Sequence, residues 1–268
     1  MSRGETIDAV QATWDTLAPV YDQLTAAHDH GAWAAQLEEL ALAAGLSGRR
    51  LLDVGCGTGC SAEAMRVRGY DVTGVDVSPE MLALAAERLG PDTPLHCHDM
   101  RRLPRLGEFD VIWSISDSVN FVLEDQGLID TFAGFRRNLA PHGLAVFDVD
   151  TLAAFRTLYS SLLVVPGAER VVVFDGLAEP GLAAGETAEA RIEYLEAATP
   201  PWWRRVSTIH RQRHHSEAAL AAALAAAGLE LVAVWGTDGA GAGERPLDEE
   251  RHNKAVYIAR VSGEEVSK

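Results

Sequence analysis

The sequence is short of the residues that staple small secreted folds, that cross membranes and that attract nucleic acid. Three cysteines, Cys56, Cys60 and Cys97, stand among 268 residues. So odd and sparse a set is not a disulfide framework. Cys56 and Cys60 have no Cys/His cluster at zinc-like spacing around them, so small packing residues are expected there. His210, His214 and His215 lack a carboxylate or cysteine at a suitable spacing, and no metal site is expected. No apolar run is long enough to span a bilayer, and the polar stretch Met1 to Gln11 does not read as a signal peptide. The expectation is a cytoplasmic chain with no membrane partner. Cations are scarce as well: Lys+Arg number 23 against 39 Asp+Glu, a net charge of −16. Such a surface repels polyanions at long range. Nucleic acid is not an expected partner, although Arg204, Arg205, Arg211 and Arg213 are clustered in sequence.

What is present is enough apolar material, 47% of residues, for one α/β domain with an insertion. Residues 1–46 read as an N-terminal helical cap. Thr13 to Leu24 carries Trp14, Leu17, Ala18 and Tyr21 at helical spacing. Asp29 can cap a second helix with Trp33, Leu37, Leu40 and Ala44 on one face. Residues 47–152 alternate strand and helix: strands at Arg50–Val54, Asp71–Val75, Leu95–His98, Phe109–Ser114 and Leu144–Val149, with helices between. This rhythm predicts a doubly wound parallel sheet. Over 153–213 the rhythm changes to three consecutive β segments, Arg170–Asp175, Glu189–Leu195 and Trp203–Arg213, separated by Gly/Ala/Pro-rich connections and the Thr199-Pro200-Pro201 turn. That predicts a small antiparallel insertion after strand five. Residues 214–268 return to the core with a helix capped by Ser216, two strands and a flexible loop, Gly236 to Gly243.

The strongest local signal is Leu51-Leu52-Asp53-Val54-Gly55-Cys56-Gly57-Thr58-Gly59: a buried strand runs into a glycine turn that opens a helix. Glycines let the backbone turn tightly and let a ligand lie on it. Asp76, 19 residues after Gly57, ends the second strand, where a carboxylate accepts from both hydroxyls of a ribose. These features suit NAD and S-adenosylmethionine (SAM) alike. The G-x-G-x-G spacing departs from the dinucleotide fingerprint, however, and the acidic Asp53 beside the turn suits a cationic sulfonium better than a pyrophosphate.

With Gly74-Val75-Asp76-Val77-Ser78-Pro79-Glu80-Met81, His98-Asp99-Met100, Phe109-Asp110-Val111-Ile112 and Leu139-Ala140-Pro141-His142-Gly143-Leu144 in the same order, the sequence resembles the Rossmann-like SAM-dependent methyltransferases. It is nearest in pattern to the glycine N-methyltransferases and nucleotide-sugar N,N-dimethyltransferases, which share the Tyr21-Asp22 pair and the β insertion. The resemblance implies a seven-stranded sheet and SAM as cofactor, with S-adenosylhomocysteine as product. It implies a cofactor site at Tyr21, Trp33, Gly55, Cys56, Gly57, Asp76, Val77, Met81, Asp99, Met100 and Ile115. In it Asp76 binds ribose, Asp99 and Met100 frame the adenine, and Ile115 to Asn120 face the methyl group. Asp117 is the candidate catalytic residue, orienting an acceptor or taking its proton; the alternative role is a turn cap. The expected function is methyl transfer to N or O of a small metabolite, of natural-product or amino-sugar kind. A non-catalytic SAM-binding protein and an NAD-dependent oxidoreductase are the alternatives. A Pro-Pro-aromatic motif, which exocyclic-amine nucleic-acid methyltransferases carry after strand four, is missing from Ser114 to Asn120. Phe155, Tyr159, Trp202, Trp203 and His210 to His215 are expected in a lid or in a contact between two copies through the insertion.

Overall fold

The computed structural model describes residues 3–179, 181–199, 202–238 and 243–263. Pro200 and Pro201 of the expected turn, residues 239–242 of the expected loop, and Met1 and Ser2 lie outside these. The chain opens with helix α1 (Arg3–Leu17), a 3-10 turn (Ala18–Val20), α2 (Tyr21–Leu24) and α3 (His30–Ala43). A single helix over Thr13 to Leu24 was the expectation. Pro19 has no N–H to continue an α-helical ladder, so the helix tightens and restarts at Tyr21. Asp29 caps α3, its Oδ1 accepting from the Ala32 amide at 2.9 Å.

The core then runs β1 (Arg50–Val54), α4 (Cys60–Val67), β2 (Asp71–Asp76), α5 (Pro79–Leu89), β3 (Leu95–Cys97), β4 (Phe109–Ser114), α6 (Asp125–Asn138) and β5 (Leu139–Asp150). Helix α7 (Leu152–Leu158) leads into β6 (Leu162–Pro166), β7 (Arg170–Gly176), β8 (Thr187–Ala197) and β9 (Trp203–Arg213); α8 (Glu217–Ala226), β10 (Leu229–Thr237) and β11 (Lys254–Val261) close the chain. The large sheet has seven strands in the order β10-β11-β5-β4-β1-β2-β3. Strands β1 to β5 pair in parallel, and β11 is antiparallel to both its neighbours. Successive side chains go to opposite faces. Leu51, Val111, Val146 and Ile258 pack with Trp33, Leu37 and Met65, whereas Leu52, Ile112, Phe147 and Tyr257 pack with Phe132, Phe135 and Leu224. Each such Leu or Phe contributes about 1.5–3 kcal/mol by leaving water. Strand order reverses between β1 and β4, so a crevice opens at their carboxyl ends.

The insertion is a four-stranded antiparallel sheet, β6-β7-β8-β9, one strand more than expected. Strand β6 is an edge strand on which Leu162, Leu163 and Val164 are exposed, so its apolar run shows no inside/outside alternation to read. Phe155 and Tyr159 are not lid residues on a surface. Both are fully buried, in a cluster with Leu17, Val20, Val172, Phe174, Ile192 and Tyr194. The insertion and the N-terminal helices thus share one core. Trp202 and Trp203 are exposed at the far end of the insertion. Among the described residues no helix is long and apolar enough to cross a membrane.

Candidate functional site

Strand β1 ends in a turn whose Gly55, Gly57 and Gly59 have φ of 80°, 54° and 84°, the left-handed region that glycine tolerates. The Gly55 and Cys56 amides donate to the Val75 carbonyl at 2.7 and 3.0 Å. At Gly55 a Cβ would come within 2.8 Å of the Ser118 Oγ, so the turn lies directly against the loop after β4. Asp76 fixes the other side: its carboxylate accepts from the Gly57 and Ser78 amides, both at 2.9 Å. Burial pushes its pKa up against the pull of those bonds. Below the turn, Asp53 is 1% exposed and accepts from Ser61 Oγ at 2.8 Å. Burial raises its pKa to about 7.

A cavity lies over this turn. Of the eleven residues expected around the cofactor, Tyr21, Gly55, Gly57, Asp76, Val77, Met81, Asp99 and Met100 line it. Three do not. Cys56 is turned under the loop toward Gly74, and Ile115 belongs to the core layer beneath. Trp33 is in that layer too, with its indole N–H donating to Asp148 at 2.8 Å; that buried bond takes it away from the cavity. Asp99 accepts from both Nε and Nη2 of Arg101. The N-terminal segment forms the roof through Val10, Trp14 and Tyr21. Two contacts tie it down. Ser78 Oγ donates to Asp15 at 2.6 Å, and Asp22 accepts from Thr58 Oγ1 at 2.6 Å and Arg88 Nη2 at 2.5 Å. Asp22 therefore grips the glycine turn rather than lining the cavity.

Ser116, Ser118, Phe121 and Val122 line the cavity on the β4 side. Ser116 and Asp117 have φ of 57° and 54°, strained for residues with a Cβ. Asp148, fully buried on β5, braces them by accepting from both amides at 3.0 and 2.6 Å. Asp117 precedes the 3-10 turn Ser118–Phe121 but makes no capping bond to it. Its carboxylate instead accepts from Lys254 Nζ at 2.5 Å and Gln212 Nε2 at 2.6 Å. Lys254 also lies 2.9 Å from Asp150 and 3.6 Å from Asp148. Burial alone would lower the lysine pKa; the three carboxylates outweigh it and raise it. Burial raises Asp150 to about 7. Burial, then the charges of Asp117 and Asp76, hold the Tyr21 hydroxyl protonated well above the usual tyrosine range.

Lys254, Asp148 and Asp150 escaped the reading of the sequence, and Gln212 entered it only as part of the lid or contact stretch His210 to His215. The signal available was Asp148-x-Asp150, two carboxylates on one face at the carboxyl end of a parallel strand. His210 is buried among Trp14, Phe121, Tyr159 and Phe174, which lowers it to about 4 and leaves it neutral. His215 bonds the Val122 carbonyl. Neither forms part of a group of three or more His, Cys, Asp or Glu placed to hold a metal among the described residues.

Comparison with known proteins agrees with this geometry. Residues 51–143 match the family described as Methyltransferase domain. The magnesium-protoporphyrin O-methyltransferase of Rhodobacter capsulatus is 35% identical over 114 residues, 41% of this chain and 49% of the relative. The dTDP-3-amino-3,4,6-trideoxy-alpha-D-glucopyranose N,N-dimethyltransferase of Streptomyces venezuelae is 35% identical over 134 residues, 49% of this chain and 56% of the relative. The chain spans about half the length of the curated relatives it matches. A solved S-adenosylmethionine-dependent methyltransferase of Clostridium acetobutylicum ATCC 824 superposes with a TM-score of 0.75 at 20% identity, covering 94% of this chain and 100% of its own. Residues 51–143 therefore resemble a methyltransferase domain, and the chain as a whole shares the fold of a solved S-adenosylmethionine-dependent methyltransferase.

Proposed function

We propose that this protein methylates an amine nitrogen of a small molecule, an amino sugar being the substrate kind that one relative's name suggests. The carrying observation is the neighbourhood of two features: a cavity over the glycine turn, lined in part by Ser116 and Ser118, and the acidic cluster around Asp117, the residue between them, which does not itself line the cavity. Relatives that act on N and on O match at the same identity, so the choice of nitrogen rests on charge. Asp117, Asp148 and Asp150 outnumber Lys254, and a site with excess negative charge favours a cationic acceptor.

The residues present fit SAM. The cavity is lined by the glycine turn, by two carboxylates and by aromatic and apolar side chains, a mix that suits a cofactor site. Gly55 and Gly57 keep its floor free of side chains. Asp76 faces it with lone pairs beyond those used on Gly57 and Ser78, and would hold the ribose. Asp99 and Met100 would flank the adenine, and Tyr21 would cover the sulfonium side. When bound, SAM supplies an electrophilic methyl group. The chain's own task is alignment, which supplies roughly 7–11 kcal/mol of barrier reduction, and exclusion of water by the roof of Val10, Trp14 and Tyr21. Asp117 orients the acceptor nitrogen and accepts the proton that it loses. A bare SAM-binding role leaves the strained, braced Ser116-Asp117 loop without a purpose. The glycine spacing does not favour a nicotinamide dinucleotide.

Incubation with methyl-labelled SAM and a panel of amino sugars, simple amines and their hydroxyl counterparts, followed by mass analysis, tests this reading. Label on nitrogen is the expected result. Transfer confined to hydroxyl oxygen would overturn the choice of acceptor. For the contact between two copies we propose the apolar edge strand β6; Leu163→Lys is expected to shift a dimer toward monomer in sedimentation.

A further inference from the structure

The sequence contains two lysines, Lys254 and the C-terminal Lys268, against a plentiful supply of arginine. Lys254 opens β11 opposite Asp150, with which it is in direct cross-strand register. Its ammonium meets Asp150 at 2.9 Å, Asp117 at 2.5 Å and Asp148 at 3.6 Å, and the side chain is 12% exposed. A compact ammonium with three donors suits three carboxylates arriving from different directions; the flat guanidinium fork does not. A cation chosen against the chain's habit, and buried where carboxylates converge, needs a reason.

We propose that Lys254 is a positioning residue of the methyl-transfer site, holding the Asp117 carboxylate charged and aimed at the acceptor. The inference rests on the reading above, in which Asp117 meets the acceptor nitrogen. The geometry leaves Asp117 few other supports. Its backbone is strained, its amide is held by Asp148, and its two oxygens are held by Gln212 and Lys254. Gln212 is itself fixed by the Tyr159 hydroxyl, which donates to its Oε1 at 2.8 Å. The titratable groups facing Asp117 are Lys254 from β11, Asp148 and Asp150 from β5, Tyr21 from α2, Tyr159 just after α7 and His210 from β9. Lys254 is the one cation among them, since His210 is neutral. Without it, Asp148 and Asp150 repel any charge on Asp117. The cluster, left with a surplus of negative charge, then takes up a proton at higher pH, and a protonated carboxyl neither orients an ammonium nor receives its proton. In the transfer the nitrogen lone pair forms the new C–N bond, the sulfur keeps the pair of the broken C–S bond, and the nitrogen's proton goes to Asp117. Lys254 exchanges nothing.

The test uses Lys254→Met, Lys254→Arg, Asp117→Asn and Lys254→Met/Asp150→Asn. The double variant removes one negative charge with the positive one. The probe is dTDP-3-amino-3,4,6-trideoxyglucose, with SAM affinity measured calorimetrically on every variant. In Lys254→Met, SAM affinity stays within threefold of wild type, kcat/KM at pH 7 falls at least tenfold, and the acid limb of the kcat/KM profile moves up by at least one pH unit. In the double variant the limb returns to within half a unit of wild type, as it does in Lys254→Arg. An acid limb unmoved in Lys254→Met overturns the proposal, as does an activity loss accounted for by weaker SAM binding. If the wild type leaves the probe unmethylated, the reading of the function fails for that amine and the lysine link is judged separately. Protein labelled with 13Cε-lysine gives two signals, and Asp117→Asn must shift the Lys254 signal and its pH dependence. A Lys254 signal indifferent to Asp117→Asn overturns the link whatever the acceptor is.

Discussion

Asp117 and Asp76 show how much of a side chain's work is set by what already holds it. Asp117 has no capping bond, so the turn-cap role is not the one its contacts describe. Asp117→Asn keeps the shape and removes the charge. SAM affinity is expected within threefold of wild type, under about 0.7 kcal/mol, while turnover of an amine acceptor falls at least tenfold, the low end of general-base contributions. Wild-type turnover across pH 6 to 9 would return Asp117 to a merely structural place. Asp76 is different because it already accepts from Gly57 and Ser78 amides. Asp76→Ala is expected to weaken SAM by a factor of about 10 to 150, from loss of charged bonds worth about 1.5–3 kcal/mol. It also releases the cradle, so melting temperature falls with it. Asp76→Asn keeps an acceptor for one amide and should recover stability before it recovers affinity. Calorimetry beside thermal denaturation separates the two effects. Equal recovery of both would mean that Asp76 serves the turn alone.

Among the elements, the N-terminal helices carry the clearest consequence. Tyr21 lines the cavity, and the next residue, Asp22, grips Thr58 and Arg88. A roof latched to the glycine turn should open when the latch is cut. In Asp22→Ala, amide exchange over residues 10–25 is expected to rise in the absence of SAM, and SAM affinity to drop three- to tenfold. Unchanged exchange would show that the shared core around Leu17 and Val20 holds the roof without help. The same elements show what a sequence makes legible. The seven strands and the Asp29, Ser78 and Ser216 caps were readable because periodicity and capping are local. The glycine turn, Asp76 and Asp99-Met100 were readable because each is a contiguous motif. Strand β6 was missed because an edge strand exposed on both faces has no period. Pro19 was passed over inside a pattern whose spacing continued through it. Lys254 and Asp117 are 137 residues apart, and nothing local marks either as the other's partner. Trp33 was misplaced for the converse reason: a helix that covers the sheet exposes one face to the cavity's surroundings and one to the core, and spacing alone does not say which face the indole takes.

For the molecule as a whole, the buried titratable groups predict how stability changes with pH, and the sign follows group by group. His210 and His215 are lowered to about 4, chiefly by burial, so the unfolded chain binds their protons more readily. Their contribution rises with pH and is complete above about 6.5. Asp53 is raised to about 7 by burial, and its Oδ1 has no hydrogen-bond partner. The folded chain therefore keeps a proton that the unfolded chain has released. That contribution is fully present below the ordinary carboxylate range and is lost as pH rises through 7. Asp150 works in the same direction. Glu38 and Asp110, lowered by their arginine partners despite burial, act only at more acid pH. Between about pH 4.5 and 6 the two histidines gain what Asp53 and Asp150 lose, so stability of the SAM-free protein is expected to be nearly flat there and to decline from about pH 6 toward pH 8. For Asp53 a carboxyl titrating at about 7 loses about 1.4 kcal/mol between pH 6 and 8. At about 2–4 °C per kcal/mol for a chain of this size, that is a fall of about 3–5 °C in melting temperature. Asp53→Asn can still accept from Ser61 and carries no titrating proton, so it should flatten this part of the decline and melt higher than wild type at pH 8. Calorimetric scans of both proteins at pH 6, 7 and 8 decide it. Parallel declines would mean that Asp53 is already ionised below pH 6, and that water or a cation reaches a carboxylate which the fold otherwise encloses.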